Sequence, residues 1–211
     1  TETKEAISYI LYDERVKEDQ LWVLQNSDQF IKEYLDPMIV NEGFTFEFKL
    51  FQTEADEIRT YFADMHERKP DFCAWWNMSF DMPTIIHRLE KLGFSKDQIA
   101  EIMCHPDIPK EYKYVKYIPD PKRKLFDVFE DDDEDEEDDG ASKNSKQRPH
   151  PSRLVDWVEI PGYTQHYCQM SMYSCLRKRY LLPSYKLDDI AKEAGIGKYN
   201  LSENGYSIKD C

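Results

Sequence analysis

Asp71-Phe-Cys-Ala-Trp-Trp76 runs directly into Asn77-Met-Ser-Phe80-Asp81-Met-Pro83, and the reading of this junction decides the fold. The first segment is a continuous apolar run of strand length, the pattern of a strand covered on both faces, which predicts a central place in a sheet. From Asp81 onward Ile85, Ile86, Leu89 and Leu92 recur at helical spacing and Gly93 closes the run. A helix therefore follows the strand after a tight connection that Asn77 or Ser79 caps. An acid in the first turn of such a helix lies at the carboxyl end of a strand, where open α/β sheets place their sites. The helix N-terminus stabilises the carboxylate, and Mg²⁺, which prefers oxygen ligands, is a cation that suits it. Taken alone, a first-turn Asp more often serves only the helix dipole. Trp75, Trp76 and Phe80 flank the turn with aromatic surface that fits either a core or the end of a single-stranded nucleic acid, and Asn77 offers both a donor and an acceptor.

Outward from the junction, residues 6–12 and 21–24 are rich in β-formers and are separated by the polar stretch 13–20, which predicts a hairpin. Ser27 opens a helix around 29–35 that stops before Pro37. Residues 44–51 alternate apolar and polar, a third strand. Thr53 followed by Asp56 resembles a helix start, and Ile58, Tyr61, Phe62 and Met65 carry the helical period to about Arg68. Ser95 opens a short helix. Residues 106–151, proline-rich and with Tyr/Lys-rich 112–117, read as an inserted, partly disordered excursion. Beyond it come a strand at 154–160 and a helix at 169–180 with a basic end (Arg177, Lys178, Arg179). A short helix at 186–193 ended by Gly195 follows, and Gly205-Tyr206 introduces a last helix. Strands first, then strand–helix alternation, imply an α/β fold with a mixed sheet flanked by helices.

A chain of 211 residues suffices for one sizeable α/β domain with an insertion, and two full domains are not expected. The formal charge of −14 is concentrated in residues 130–139, EDDDEDEEDD, without which the chain carries about −4. Ten consecutive acids read as a solvated loop, with contact to a basic partner or exclusion of duplex DNA as the functional alternative. Arg177, Lys178, Arg179 and Lys186 could touch phosphates, although the helix dipole explains a basic helix end equally well. No apolar segment approaches the ~18 residues that span a bilayer, and Thr1-Glu2-Thr3-Lys4 is no secretion signal. The expectation is a soluble, cytoplasmic protein without membrane contact. Five cysteines without a CxxC pair indicate reduced thiols. The lack of an initiating Met and the end on Cys211 suggest a piece of a longer polypeptide.

Tyr206 and Asp210 are four residues apart and share a face if helical. A phenol beside a metal-bound carboxylate can hold an attacking water, while the plain reading is a surface Tyr–Asp contact. The ordered set Asn77-x-x-Phe80-Asp81-x-Pro83, then Pro183-Ser-Tyr-Lys-Leu-Asp188, then Tyr206-x-x-x-Asp210 resembles the 3′-5′ proofreading exonuclease domain of family B DNA polymerases, particularly the phage type. The resemblance covers most of the chain from near Ala6.

What it implies is an RNase H-like fold and hydrolysis of the 3′-terminal phosphodiester with two Mg²⁺ or Mn²⁺ ions. Asp81 would ligate and bridge the metals, Asp210 would bind the metal that activates water, and Tyr206 would orient that water. Asn77 and Phe80 would position the single-stranded 3′ end of the primer. The implied partners are primer DNA, the remainder of the polymerase and replication accessory proteins. The family's first motif, Asp-x-Glu on the first strand, has no clear copy. Either Glu2 is its glutamate, or the motif and its strand precede Thr1, the reading favoured here, and the fragment alone is expected to hydrolyse DNA poorly. The rival expectation is a non-catalytic RNase H-like binding module whose acidic loop recruits a basic partner.

Overall fold

The computed structural model describes residues 4–34, 43–122, 154–177, 182 and 184–195. They divide into two compact units on either side of Met65 and His66. The acidic run, the helix expected after Gly205, Tyr206 and Asp210 all lie outside the described residues.

In the first unit, β1 (Glu5–Leu11) pairs in parallel with β2 (Thr45–Phe51), Glu5 opposite Thr45 and Leu11 opposite Phe51. Parallel neighbours need a crossover connection, and α1 (Lys17–Gln25) and α2 (Ser27–Tyr34) lie along it. The expected hairpin is therefore corrected: residues 21–24 are helical. A four-residue apolar run cannot by itself distinguish strand from helix. Gln20 tips the balance locally. Its Oε1 accepts the Asp13 N–H at 3.0 Å and its Nε2 donates to the Leu11 carbonyl at 2.8 Å, fixing the first turn of α1 to the end of β1. The next helix, α3 (Glu54–Arg68), starts as its sequence predicts, with the Thr53 hydroxyl accepting the Asp56 N–H. It buries Phe62 and Met65. The Asp64 carboxylate accepts from the Tyr9 hydroxyl at 2.6 Å and from Lys49 Nζ at 2.5 Å, tying both strands to α3.

In the second unit, β3 (Phe72–Trp75) leads into α4 (Met78–Lys91) and α5 (Lys96–Met103). A 3-10 turn (Lys110–Tyr112), β4 (Lys116–Ile118), β5 (Trp157–Glu159) and β6 (Gln165–Cys168) follow, then α6 (Gln169–Leu176) and α7 (Leu187–Glu193). Strand β6 pairs in parallel with β3, and β4 with β5 in antiparallel fashion. α5 begins with a full capping box between Ser95 and Gln98. At the end of α4, Gly93 adopts φ +90°, with its N–H on the Glu90 carbonyl and the Phe94 N–H on that of Leu89. This is the left-handed stop that glycine favours.

The fold is mixed α/β, but several finer expectations change. Among the described residues the sheet is three two-stranded pairs, not one mixed sheet. β3 is not covered on both faces, since Phe72 is 67% exposed and burial alternates along the strand. A run this short fits a half-covered strand equally well. The inward side of α4 is Met78, Met82 and Leu89; of the face read from the sequence Leu89 is buried, Ile85 and Ile86 are half-buried, and Leu92 is exposed. The strand expected at 154–160 is confined to three residues.

Residues 106–122 of the excursion are among those described, and the rest of it is not. Asp120 and Asp156, both buried, close its base. The Asp120 N–H donates to Asp156 Oδ1, while the Asp120 carboxylate accepts the N–H groups of Lys122 and Val155, all at 2.8 Å. Removing a charged acceptor strands its donors, at roughly 1.5–3 kcal/mol per such bond. Asp120→Ala is accordingly expected to lower the unfolding free energy by about 2–3 kcal/mol, read as a lower urea midpoint. An unchanged midpoint would show that this staple is dispensable.

Candidate functional site

Asp81 lies just past the carboxyl end of the parallel β3–β6 pair. The register sets Trp75 opposite Cys168, and both strands pass almost directly into helices, α4 from Met78 and α6 from Gln169. Two helix N-termini thus start from one edge of the pair, each with the partial positive charge of its free N–H groups. The two chains are joined there by the Met170 N–H, which donates to the Trp76 carbonyl at 3.0 Å.

The Asp81 turn closes on itself. The N–H groups of Phe80 and Asp81 both donate to the Asn77 carbonyl at 2.9 Å, and the Asn77 N–H donates back to Asp81 Oδ2 at 3.2 Å. Asn77 occupies the N-cap position, but its side chain does not cap; its Oδ1 accepts the Ser79 hydroxyl at 2.7 Å. The capping foreseen for Asn77 or Ser79 is performed instead by Asp81 on the Asn77 backbone. Burial raises the Asp81 carboxyl above its ordinary range, and the Asn77 N–H opposes this only in part. No described Lys, Arg or His reaches the carboxylate in an ion pair.

Of the three aromatic residues at the turn, only Phe80 presents an open ring, 64% exposed. Trp75 donates its indole N–H to His166 Nδ1 at 3.1 Å, leaving the ring proton of neutral His166 on Nε2. Burial, with a smaller contribution from His66, depresses His166 to about 4. Trp76 faces Tyr173 at 6.1 Å, and Tyr173 meets Tyr185 edge-on at 6.4 Å. Through these rings the Ser184-Tyr-Lys-Leu-Asp188 part of the middle motif joins the Asn77–Asp81 turn. Tyr173, Met170 and Cys168, which build this junction, were not foreseen, because Gln165-His-Tyr-Cys168 lacks the alternation that marks a strand. Arg177, considered above for phosphate contact, is engaged within the fold. It pairs with Glu193 at 2.9 Å and lies over the Tyr173 ring.

Tyr206 and Asp210 lie outside the described residues, so Asp81 is the one expected metal ligand the described fold positions. Its hard, partly desolvated oxygens fit a divalent cation, whereas no group of three His, Cys, Asp or Glu side chains among the described residues could hold a metal. Among these residues no helix is long and apolar enough to cross a membrane. No family model matches the chain, and no curated protein matches it significantly.

Two outcomes follow for pH. Because the folded Asp81 carboxyl is raised, its ionised form costs stability at neutral pH, and the cost vanishes below the unfolded acid's pKa. Asp81→Asn retains an oxygen for the Asn77 N–H without the charge. It is expected to raise the melting temperature at pH 7, by an amount that shrinks as pH falls towards 3.5. For His166 the folded value lies below the unfolded 6.5. Stability is therefore full above pH 6.5, falls as pH drops, and levels off near 4. Urea midpoints of His166→Asn over that window should fall less than those of the wild type.

Proposed function

We propose that this chain is the 3′-5′ proofreading exonuclease region of a family B-type DNA polymerase, with an RNase H-like fold. The observation that carries the reading is the Asp81 turn: a half-buried carboxylate without a described cationic partner, locked to Asn77, at the carboxyl end of a parallel strand pair. A desolvated anion of this kind gains most from a divalent cation. The two helix N-termini beside it favour a phosphodiester. Phe80, exposed at the same turn, provides a ring on which an unpaired 3′-terminal base can stack. Asn77, whose backbone is fixed by Asp81 and whose Oδ1 accepts the Ser79 hydroxyl, would contribute the NH₂ of its amide to that nucleotide.

In this reading Asp81 and Asp210 would hold Mg²⁺ or Mn²⁺, and the chemistry the ions would supply is activation of a water and stabilisation of the leaving 3′ oxygen. Tyr206 would orient that water. Trp76, Tyr173 and Tyr185 act at one remove by keeping the Asn77–Asp81 turn in register with the middle motif. Tyr173→Ala should therefore weaken hydrolysis while leaving the Asp81 side chain intact.

The test is shortening of 5′-labelled single-stranded DNA by the polymerase that carries this sequence. Stepwise loss of nucleotides from the 3′ end is expected with Mg²⁺, slowed more than about 100-fold by Asp81→Ala and by Asp210→Ala, beyond the range typical of outer-shell changes at metal sites. Undiminished shortening in both variants would overturn the assignment.

A further inference from the structure

At the amino end of the β3–β6 pair, away from Asp81, lies a cleft of ≈ 260 Å³ whose walls include Tyr114, Trp157, Glu159 and Tyr163. Gln165, the first residue of β6, also lines it, whereas the Asp81 turn follows the last residue of β3. Three ladder steps separate the two ends, about 10 Å at ~3.3 Å per residue. The cleft belongs to different chemistry.

Along β5, Val158 is buried at 2% exposure, so Trp157 and Glu159, two residues apart, share the opposite, outer face. Trp157 is 47% exposed and forms no ring contact among the described residues; the Glu159 side chain forms no hydrogen bond or ion pair among them, its backbone being paired with Lys116 of β4. Tyr114 and Tyr163 add rings that are 49% and 56% exposed. Tyr163 has two neighbours that orient it. His105 meets it edge-on at 4.5 Å, and its hydroxyl donates to Asp107 at 3.3 Å. Lys69, which does not line the cleft, rests its ammonium 4.6 Å from the same ring centroid.

We infer that this cleft is an aromatic cage for an organic cation, an alkylammonium or guanidinium group. Ring faces carry negative potential and attract such cations, most strongly when Trp contributes. Glu159 supplies a carboxylate beside them, opposite Lys116 on the same face of the β4–β5 pair. A weakly hydrated organic cation gains from both at small desolvation cost. A strongly hydrated metal ion would find one carboxylate, and a phosphate would be repelled by it. The source is either a basic side chain of a partner protein or a free small cation, which present the same group to the cage. The inference is independent of the exonuclease reading.

The experiment is an NMR titration of the ¹⁵N-labelled 211-residue chain. The chain has four tryptophans, and the indole N–H peak missing from Trp157→Phe is that of Trp157. Choline chloride is expected to move this peak saturably. Its neutral isostere 3,3-dimethylbutan-1-ol should not, and Glu159→Gln should weaken choline binding about tenfold or more, with the other indole peaks unmoved. At matched ionic strength, binding of acetyl-hexalysine amide at least tenfold tighter than choline identifies a basic chain segment as the source. Weaker discrimination identifies a small cation. No shift with either cation, an equal shift with the neutral isostere, preference for cytidine monophosphate, or an unchanged affinity in Glu159→Gln would each overturn the inference.

Discussion

The second unit depends on four residues of β6 finding four residues of β3 that lie ninety-three positions earlier. Closing a loop of that length costs on the order of 4 kcal/mol from the logarithmic term alone, and a four-residue ladder offers few bonds to offset it. Compensation comes from what the ladder brings together. His166, Cys168 and Met170 become buried, and two further backbone bonds extend the pairing, Gln165 N–H to the Asp71 carbonyl and Met170 N–H to that of Trp76. Once this register is set, the starts of α4 and α6 are set with it. So is the opposite edge, where the chain turns through Pro161–Thr164 into β6 beside the cleft.

Both titratable groups attached to this ladder are held towards neutrality by the same cause. Burial makes the charged form expensive, lifting the Asp81 acid and depressing the His166 base. The difference lies in their partners. His166 has its acceptor nitrogen occupied by Trp75, so the neutral ring is satisfied and acts as a structural element. Among the described residues Asp81 has a single backbone N–H, too little to balance an anion. A carboxylate kept in that condition weakens the fold unless something else draws benefit from it, which is the familiar tension between stability and a poised site.

Much of this organisation was legible in the residues themselves. Thr53 with Asp56, and Ser95, state their helix starts because the caps are local chemistry, settled within four residues. The strand-to-helix junction at Trp76–Asp81 was readable because an apolar run gives way to a helical period. What escaped was non-local. Residues 21–24 have strand composition, and only the turn fixed by Gln20 and the parallel pairing of β1 with β2 make them helical. Gln165-His-Tyr-Cys168 has no strand signature, and its identity comes from its partner. Asp81 stood out as an acid in the right place, yet its bond to the Asn77 N–H and the ring contacts from Trp76 through Tyr173 to Tyr185 required the fold.

Pro83, inside α4, has a consequence for the Asp81 turn. Proline carries no N–H, so the Ser79 carbonyl, four residues earlier, has no helical donor. The ladder is interrupted at that one rung while the Asn77 carbonyl keeps its bonds from Phe80 and Asp81. The Asp81 turn is therefore tied to the rest of α4 by one backbone bond fewer. A helix that lacks one backbone bond at this point opens its first turn more readily than its remainder, so the Asp81 turn is the part of α4 expected to exchange its amide protons first.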